Sequence, residues 1–277
     1  MRAVGIILAG GNNNRMKELT HKRAVAAMPI AGSYRSIDFA LSNMTNSHIQ
    51  KVAVLTQYNA RSLNEHLNSS KWWNFGRKQG GLYVFTPTIT NDNGYWYRGT
   101  ADAIYQNMDF LKKSHEPYVV IASGDAVYKM DYSKVLQYHI DKKADVTVVC
   151  KEMDPSDDVS RFGTIRMDDD MRITEFEEKP MVTKSNMIST GIYVIRRRLL
   201  IDLIEHAAEE ERFDFVNDVL IRYKNLKKIY GYKIDHYWSN IATVDAYYKT
   251  NMDFLKPEVR NYFFKQDPEI YSKVSDL

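Results

Sequence analysis

Val4-Gly5-Ile6-Ile7-Leu8-Ala9-Gly10-Gly11-Asn12-Asn13-Asn14-Arg15-Met16 reads as a buried strand that empties into a glycine-led loop. Gly10 and Gly11 lack a Cβ, so backbone N–H groups there can approach an anion closely. A helix expected after the loop adds the positive end of its dipole, and Arg15 adds a fixed charge. The stretch thus predicts an α/β sheet with a phosphate site at the carboxyl end of its first strand. On its own, a glycine pair after a strand fits a purely structural tight turn equally well. The spacing matches neither the G-x-G-x-x-G of a dinucleotide fold nor the G-x-x-x-x-G-K-[ST] of a P-loop, so both of those classes are set aside.

Working outward, further apolar, β-rich runs span 52–56, 118–122, 145–150 and 191–195, each bounded by polar or turn residues. Helical patterns fall between them at 36–47, 60–67, 101–111, 133–142 and 198–208. This βαβ alternation predicts a doubly wound, mostly parallel, Rossmann-like sheet with ligands at the carboxyl ends of its strands, where Gly10 and Asp125 both fall. Phe162 to Met167, an Asp168-Asp169-Asp170 turn and Arg172 to Phe176 read as a hairpin added to that sheet.

The 277-residue chain is long enough for one large α/β domain, and its 44% hydrophobic content suits a globular core. Its 38 basic and 35 acidic residues give a net charge of +3, too balanced for a nucleic-acid stripe or a membrane patch. Small polyanions remain suitable ligands. A single cysteine, Cys150, excludes an internal disulfide and a thiolate metal cluster, and it reads as a core residue. No apolar run approaches the ~18 residues of a membrane span and no signal peptide precedes the first strand, so a cytoplasmic protein is expected. The seven histidines show no zinc-ligand spacing.

The run Lys17 to Gly32, followed by Tyr34-Arg35-Ser36-Ile37-Asp38-Phe39-Ala40-Leu41-Ser42-Asn43, resembles the sugar-phosphate nucleotidyltransferases, and within them the glucose-1-phosphate adenylyltransferases of glycogen and starch synthesis. Val54-Leu55-Thr56-Gln57-Tyr58, Trp96-Tyr97-Arg98-Gly99-Thr100-Ala101-Asp102-Ala103, Ser123-Gly124-Asp125, Phe176-Glu177-Glu178-Lys179-Pro180, Ser189-Thr190-Gly191-Ile192-Tyr193 and Tyr237-Trp238 extend the resemblance in order along nearly the whole chain. It implies a nucleotidyltransferase-like domain over residues 1–260, and a terminal helix and linker over 261–277 leading to a β-helix domain that this sequence does not contain.

The resemblance also implies chemistry. A glucose-1-phosphate oxygen attacks the α-phosphate of ATP in line, giving ADP-glucose and pyrophosphate, with Mg2+ neutralising phosphate charge. It places Arg15 and Asp125 in catalysis, Asp125 also as a metal ligand, although an Asp after Gly124 equally suits a turn cap. Leu8, Ala9, Gly10, Gly11, Gln57, Trp96, Tyr97, Gly99 and Thr100 fall at nucleotide positions, with Trp96 and Tyr97 readable equally as core aromatics. Glu178, Lys179, Ser189 and Asp214 fall at sugar-phosphate positions; an exposed charged turn before Pro180 is the alternative for the first two. Tyr128 and Tyr132 read as packing residues.

Two departures weigh against full activity. Where the family has Lys-Pro-Ala after Arg23-Ala24, this chain has Val25-Ala26-Ala27. Where the family has Trp-x-Asp-Val-Gly-Thr, it has Trp238-Ser239-Asn240-Ile241-Ala242-Thr243. An ammonium near the phosphates and a metal-binding carboxylate are thereby replaced by neutral groups, and neighbouring Lys22 and Arg23 point elsewhere. Lesser changes put Asn13 at a glycine position and Ala126 at a histidine position. The pattern resembles the low-activity or regulatory subunit that accompanies a catalytic homologue, with a homo-oligomer or a fully competent adenylyltransferase as alternatives.

Overall fold

A computed structural model describes residues 2–10, 14–75, 80–91, 94 and 96–273. Gly11, Asn12 and Asn13, the tip of the glycine loop, lie outside the described residues. The fold is α/β, and its residues divide into two compact units. One comprises Val4–Thr88, Ala122–Tyr132 and the chain from His236; the other comprises Met1–Ala3, Ile89–Ile121 and Ser133–Asp235.

In the first, the glycine-loop unit, the strands Ala3–Leu8, Lys51–Leu55 and Gly81–Phe85 pair in parallel, with Leu8 opposite Leu55 and Leu55 opposite Phe85. Val4, Ile6, Ile7, Val52, Ala53 and Val54 are all buried, as strands covered on both faces require. The helix Ser36–Asn46 makes the first crossover, its amino end held by Asp38, whose carboxylate accepts the Arg35 N–H at 2.8 Å. Ala126–Tyr128 and Trp238–Asn240 form a small antiparallel pair. Phe39, Phe254 and Phe263 centre an apolar cluster with Met16, Ile30, Val127 and Ile241, the Phe39 and Phe263 rings meeting edge to face at 5.4 Å. Past the helix Pro257–Phe264 the chain stays docked: Ile270 is buried and Ser272 donates to Asp38 at 2.6 Å. Tyr128 and Tyr132 are fully buried and share a short hydroxyl hydrogen bond, the packing role expected of them.

The second, the hairpin unit, is organised by the strand Met187–Arg196, longer than the run read from its apolar residues. It runs antiparallel to Tyr118–Ser123 and to Val146–Glu152, and the latter pairs in parallel with Ile229–Ile234. The register along Val146–Glu152 shifts between Ser189 and Ile192, where Gly191 takes a φ of 77° that L side chains avoid. Gly163–Met167 and Ile173–Glu178 form the expected hairpin, its turn closed by the Asp168 carboxylate, which accepts the N–H groups of Asp170 and Arg172. Cys150 is buried as expected, and burial pushes its thiol up to about 12.

Two expectations are corrected. The single helix over 101–111 is two, Thr100–Gln106 and Met108–Lys112. Asn107 interrupts it, its amide donating back to the Ala103 carbonyl and to the Tyr97 hydroxyl. The helix expected after the glycine loop is a 3₁₀ stretch, Asn14–Thr20, broken at Lys17 (φ 49°, ψ −131°), where the chain swings to bury Met16. With so few aligned peptides it supplies little of the dipole the sequence promised.

Candidate functional site

The two units carry two separate groups of candidate residues. In the glycine-loop unit the backbone converges on the end of the first strand. Leu8 accepts the Gly124 N–H at 2.9 Å and the Ala9 N–H reaches Leu55 O at 2.9 Å, so Ser123-Gly124-Asp125 lies directly against Leu8 to Gly10. A Cβ on Gly124 would sit 3.3–3.4 Å from the Ala26 and Ala9 side chains, so this seam is closely packed. Gly10 is exposed, with the Gln57 side chain beside it. Arg15, on the 3₁₀ stretch, is exposed as well.

Asp125 is half-buried; its carboxylate accepts a short hydrogen bond from Ser123 and its carbonyl accepts the Ile241 N–H at 3.0 Å. Asn240 stands opposite Ala126 on the neighbouring strand, one residue from that contact. The two positions where a metal would expect acidic groups are therefore adjacent, but only one is acidic. The Asn240 side-chain oxygen accepts the Ala242 N–H at 3.0 Å, which directs its lone pairs toward its own turn. Among the described residues no group of three or more His, Cys, Asp or Glu side chains could enclose a metal. The donor set fits only an ion carried largely by substrate oxygens, with Asp125 as its protein anchor.

Val25, on the 3₁₀ turn Val25–Ala27, packs against the cluster around Phe39 and Phe263. The position is thus filled by an apolar contact. Lys22 and Arg23 line a depression of about 560 Å³ with Glu18, His21 and Tyr247.

In the hairpin unit the sugar-phosphate candidates come together. Glu178 ends the hairpin opposite Gly163, and burial raises its carboxyl, with Asp214 adding to the rise and Lys179 opposing it. Lys179 turns into left-handed backbone (φ 45°), its N–H donating to Phe162 O, with Nζ 3.9 Å from the Glu178 carboxylate. Ser189 lies 3.3 Å from the Tyr193 hydroxyl. The Tyr193 ring meets Phe215 edge to face at 5.3 Å, and its hydroxyl is driven well above the tyrosine range by burial, with Glu178 and Asp214 contributing. The Asp214 carboxylate caps the next turn through the Asn217 N–H at 2.7 Å, ahead of a π-helix over Val216–Ile221.

Tyr193 and Phe215 are residues that sequence reasoning did not single out. Both read from periodicity as core; what marks them is the Tyr193 hydroxyl beside Ser189 and under the influence of Glu178 and Asp214, with the Phe215 ring packed against Tyr193. Trp96 and Tyr97 divide: Tyr97 is buried and bonded to Asn107, whereas Trp96 is 56% exposed. Gly99 and Thr100 lie against residues 213–215.

The nucleotidyl transferase family profile matches residues 4–257. Glucose-1-phosphate adenylyltransferase of Clostridium novyi (strain NT) is 40% identical over 272 residues, 97% of this chain and 71% of the relative. That of Bacillus thuringiensis (strain Al Hakam) is 41% identical over 274 residues, 98% and 73%. The chain belongs to the glucose-1-phosphate adenylyltransferase family. A Bacillus anthracis structure determined with sucrose, assigned as a glucose-1-phosphate thymidylyltransferase, superposes with a TM-score of 0.72 at 21% identity over 90% of this chain and 94% of that one, which shows the shared fold. In this member of the family, Glu178, Ser189, Tyr193 and Asp214 of the hairpin unit influence one another, and Val25 and Asn240 of the glycine-loop unit are neutral.

Proposed function

We propose that this chain is a weakly active or regulatory subunit of a glucose-1-phosphate adenylyltransferase of glycogen biosynthesis. It binds ATP or ADP-glucose and glucose-1-phosphate in the cytoplasm and associates with a catalytic homologue or with itself. The observation that carries the reading is the neutral Asn240, next in sequence to Ile241, whose N–H bonds the Asp125 carbonyl, joined by an apolar packing role for Val25.

Gly10 and Gly11 would present backbone N–H groups to the triphosphate, on the strand end formed by Leu8 and Ala9, with Arg15 as the nearby cation and Gln57 beside the loop. Trp96 offers an exposed ring face to the adenine, and Tyr97, Gly99 and Thr100 shape that segment. Asp125 would hold Mg2+, which when bound spreads the phosphate charge during in-line displacement. Glu178 would accept sugar hydroxyl hydrogen bonds, Lys179 would hold the sugar phosphate as a point charge, and Ser189 and Asp214 would complete the contacts.

Loss of one electrostatic stabiliser commonly costs ~10²- to 10³-fold in rate. Two losses at groups acting on the same phosphates combine less than multiplicatively but suffice to suppress turnover. The test is pyrophosphate release by the purified chain from ATP, glucose-1-phosphate and Mg2+, beside isothermal titration with each substrate. Binding with little turnover supports the subunit reading. Turnover matching an ordinary adenylyltransferase overturns it in favour of a competent enzyme.

A further inference from the structure

The segment from Arg98 to Asp102 is fastened to Phe213 and Phe215 by four contacts within the hairpin unit. The Phe213 carbonyl accepts the Ala101 N–H at 2.8 Å and the Asp102 N–H at 3.4 Å, occupying donors at the start of the helix Thr100–Gln106. The Thr100 hydroxyl oxygen accepts the Phe215 N–H at 2.9 Å. The Arg98 guanidinium lies over the Phe213 ring at 4.0 Å, and the Arg98 N–H is held by Asp102 at 2.8 Å. A Cβ at Gly99 would fall 2.4 Å from the Phe213 carbonyl oxygen and 2.9 Å from its carbon, both backbone atoms that no rotamer can clear. Gly99 has extended backbone (φ 167°), so the glycine is required by space and not by conformation.

Asp214 stands between the two residues so gripped. Its carboxylate caps the following turn, its N–H donates to Asp218, and Phe215 next to it carries the ring against which Tyr193 packs. We propose that Gly99 and Thr100 are positioning residues for the sugar side of the site: they set the place of Asp214 and Phe215, so that the segment bearing Trp96 and the sugar cluster move as one body. What Asp214 binds rests on the function proposed above; the clamp itself does not.

Thr100→Val keeps the shape and removes the acceptor, and Thr100→Ser keeps the acceptor and removes the methyl. A net hydrogen bond of ordinary strength corresponds to roughly three- to tenfold in a local equilibrium. In Thr100→Val the Phe215 amide should exchange with solvent roughly three- to tenfold faster, and the glucose-1-phosphate Kd should rise by a similar factor, clearly more than the ATP Kd does; Thr100→Ser should restore both. Unchanged Phe215 exchange in Thr100→Val overturns the clamp. So does a serine variant that behaves like the valine one, or ATP affinity that falls in step with sugar affinity, which would make Thr100 a nucleotide contact. Absence of glucose-1-phosphate binding by the unsubstituted chain would defeat the sugar assignment of Asp214, while the exchange measurement alone would still decide the clamp.

Discussion

The Glu178–Ser189–Tyr193–Asp214 cluster and the seam that holds Asp125 and Asn240 are built in different ways. In the first, the charged and hydroxyl groups are retained and reinforce one another: Tyr193 touches Ser189 and feels both carboxylates, and Asp214 is locked by its own turn. In the second, Leu8, Gly124, Asp125 and Ile241 are joined by main-chain hydrogen bonds, and Asn240 beside them is neutral. Recognition of a sugar depends on side-chain groups that must all be present, whereas the framework of a phosphate site is main chain and survives the loss of its charged residues.

The sharpest way to break that contrast is to restore the charge. Val25→Lys with Asn240→Asp should raise pyrophosphate release by about 10²-fold or more, each alone giving less, since both groups act on the same phosphates. A double variant that still binds ATP yet remains silent would show that the defect lies elsewhere.

A second expectation concerns the integrity of the hairpin unit. His139 is 2% exposed, bonded at Nδ1 to Thr147 at 2.8 Å, and burial with the nearby Arg196 lowers its pKa to about 4, Asp145 opposing. The unfolded chain therefore binds the proton first. The contribution of neutral His139 is complete above pH 6.5 and is lost as pH falls from 6.5 toward 4, by ~3 kcal/mol in all. Denaturant unfolding of the unsubstituted chain and of His139→Gln across that range checks it: the variant should lose the corresponding slope.

Smaller in size, Glu178→Gln should weaken glucose-1-phosphate binding about tenfold and leave ATP binding unaltered. Because burial raises the Glu178 carboxyl, sugar affinity in the unsubstituted chain should hold above that raised value and decline as pH drops through it. Titrations at several pH values should find the glutamine variant flat. Smallest is Thr243→Ala, which removes the cap on Ala246 N–H at 3.1 Å at the start of the helix Val244–Asp253 and should cost ~1 kcal/mol by thermal unfolding, with no effect on sugar binding.

Much of the architecture was legible in residue patterns. Unbroken apolar runs at 4–9 and 52–56 could only be covered strands, and the triple aspartate at 168–170 announced the hairpin turn. What escaped were features that depend on one side chain competing with the backbone. Asn107 ends a helix whose periodicity continues past it, and Lys17 adopts left-handed backbone for which lysine gives no signal. Tyr193 and Phe215 escaped for another reason: a buried aromatic is indistinguishable from core until its polar neighbours are known. The neutral residues at 25 and 240 were visible in the sequence, but that Val25 serves the apolar cluster emerged only from the fold.

Between Ser189 and Ile192 the strand advances three residues while its partner advances one, from Cys150 to Val149. The surplus is an even number, so alternation of the side chains is preserved and Ser189 and Tyr193 still project to one side. Loss of a single residue at Thr190 or Gly191 would bring Val194 to the place of Tyr193 at the cluster, and gain of one would bring Ile192 there. Length variation in this stretch is therefore tolerable only in pairs, a parity rule that natural variants of the chain must obey if they keep the serine and the tyrosine together.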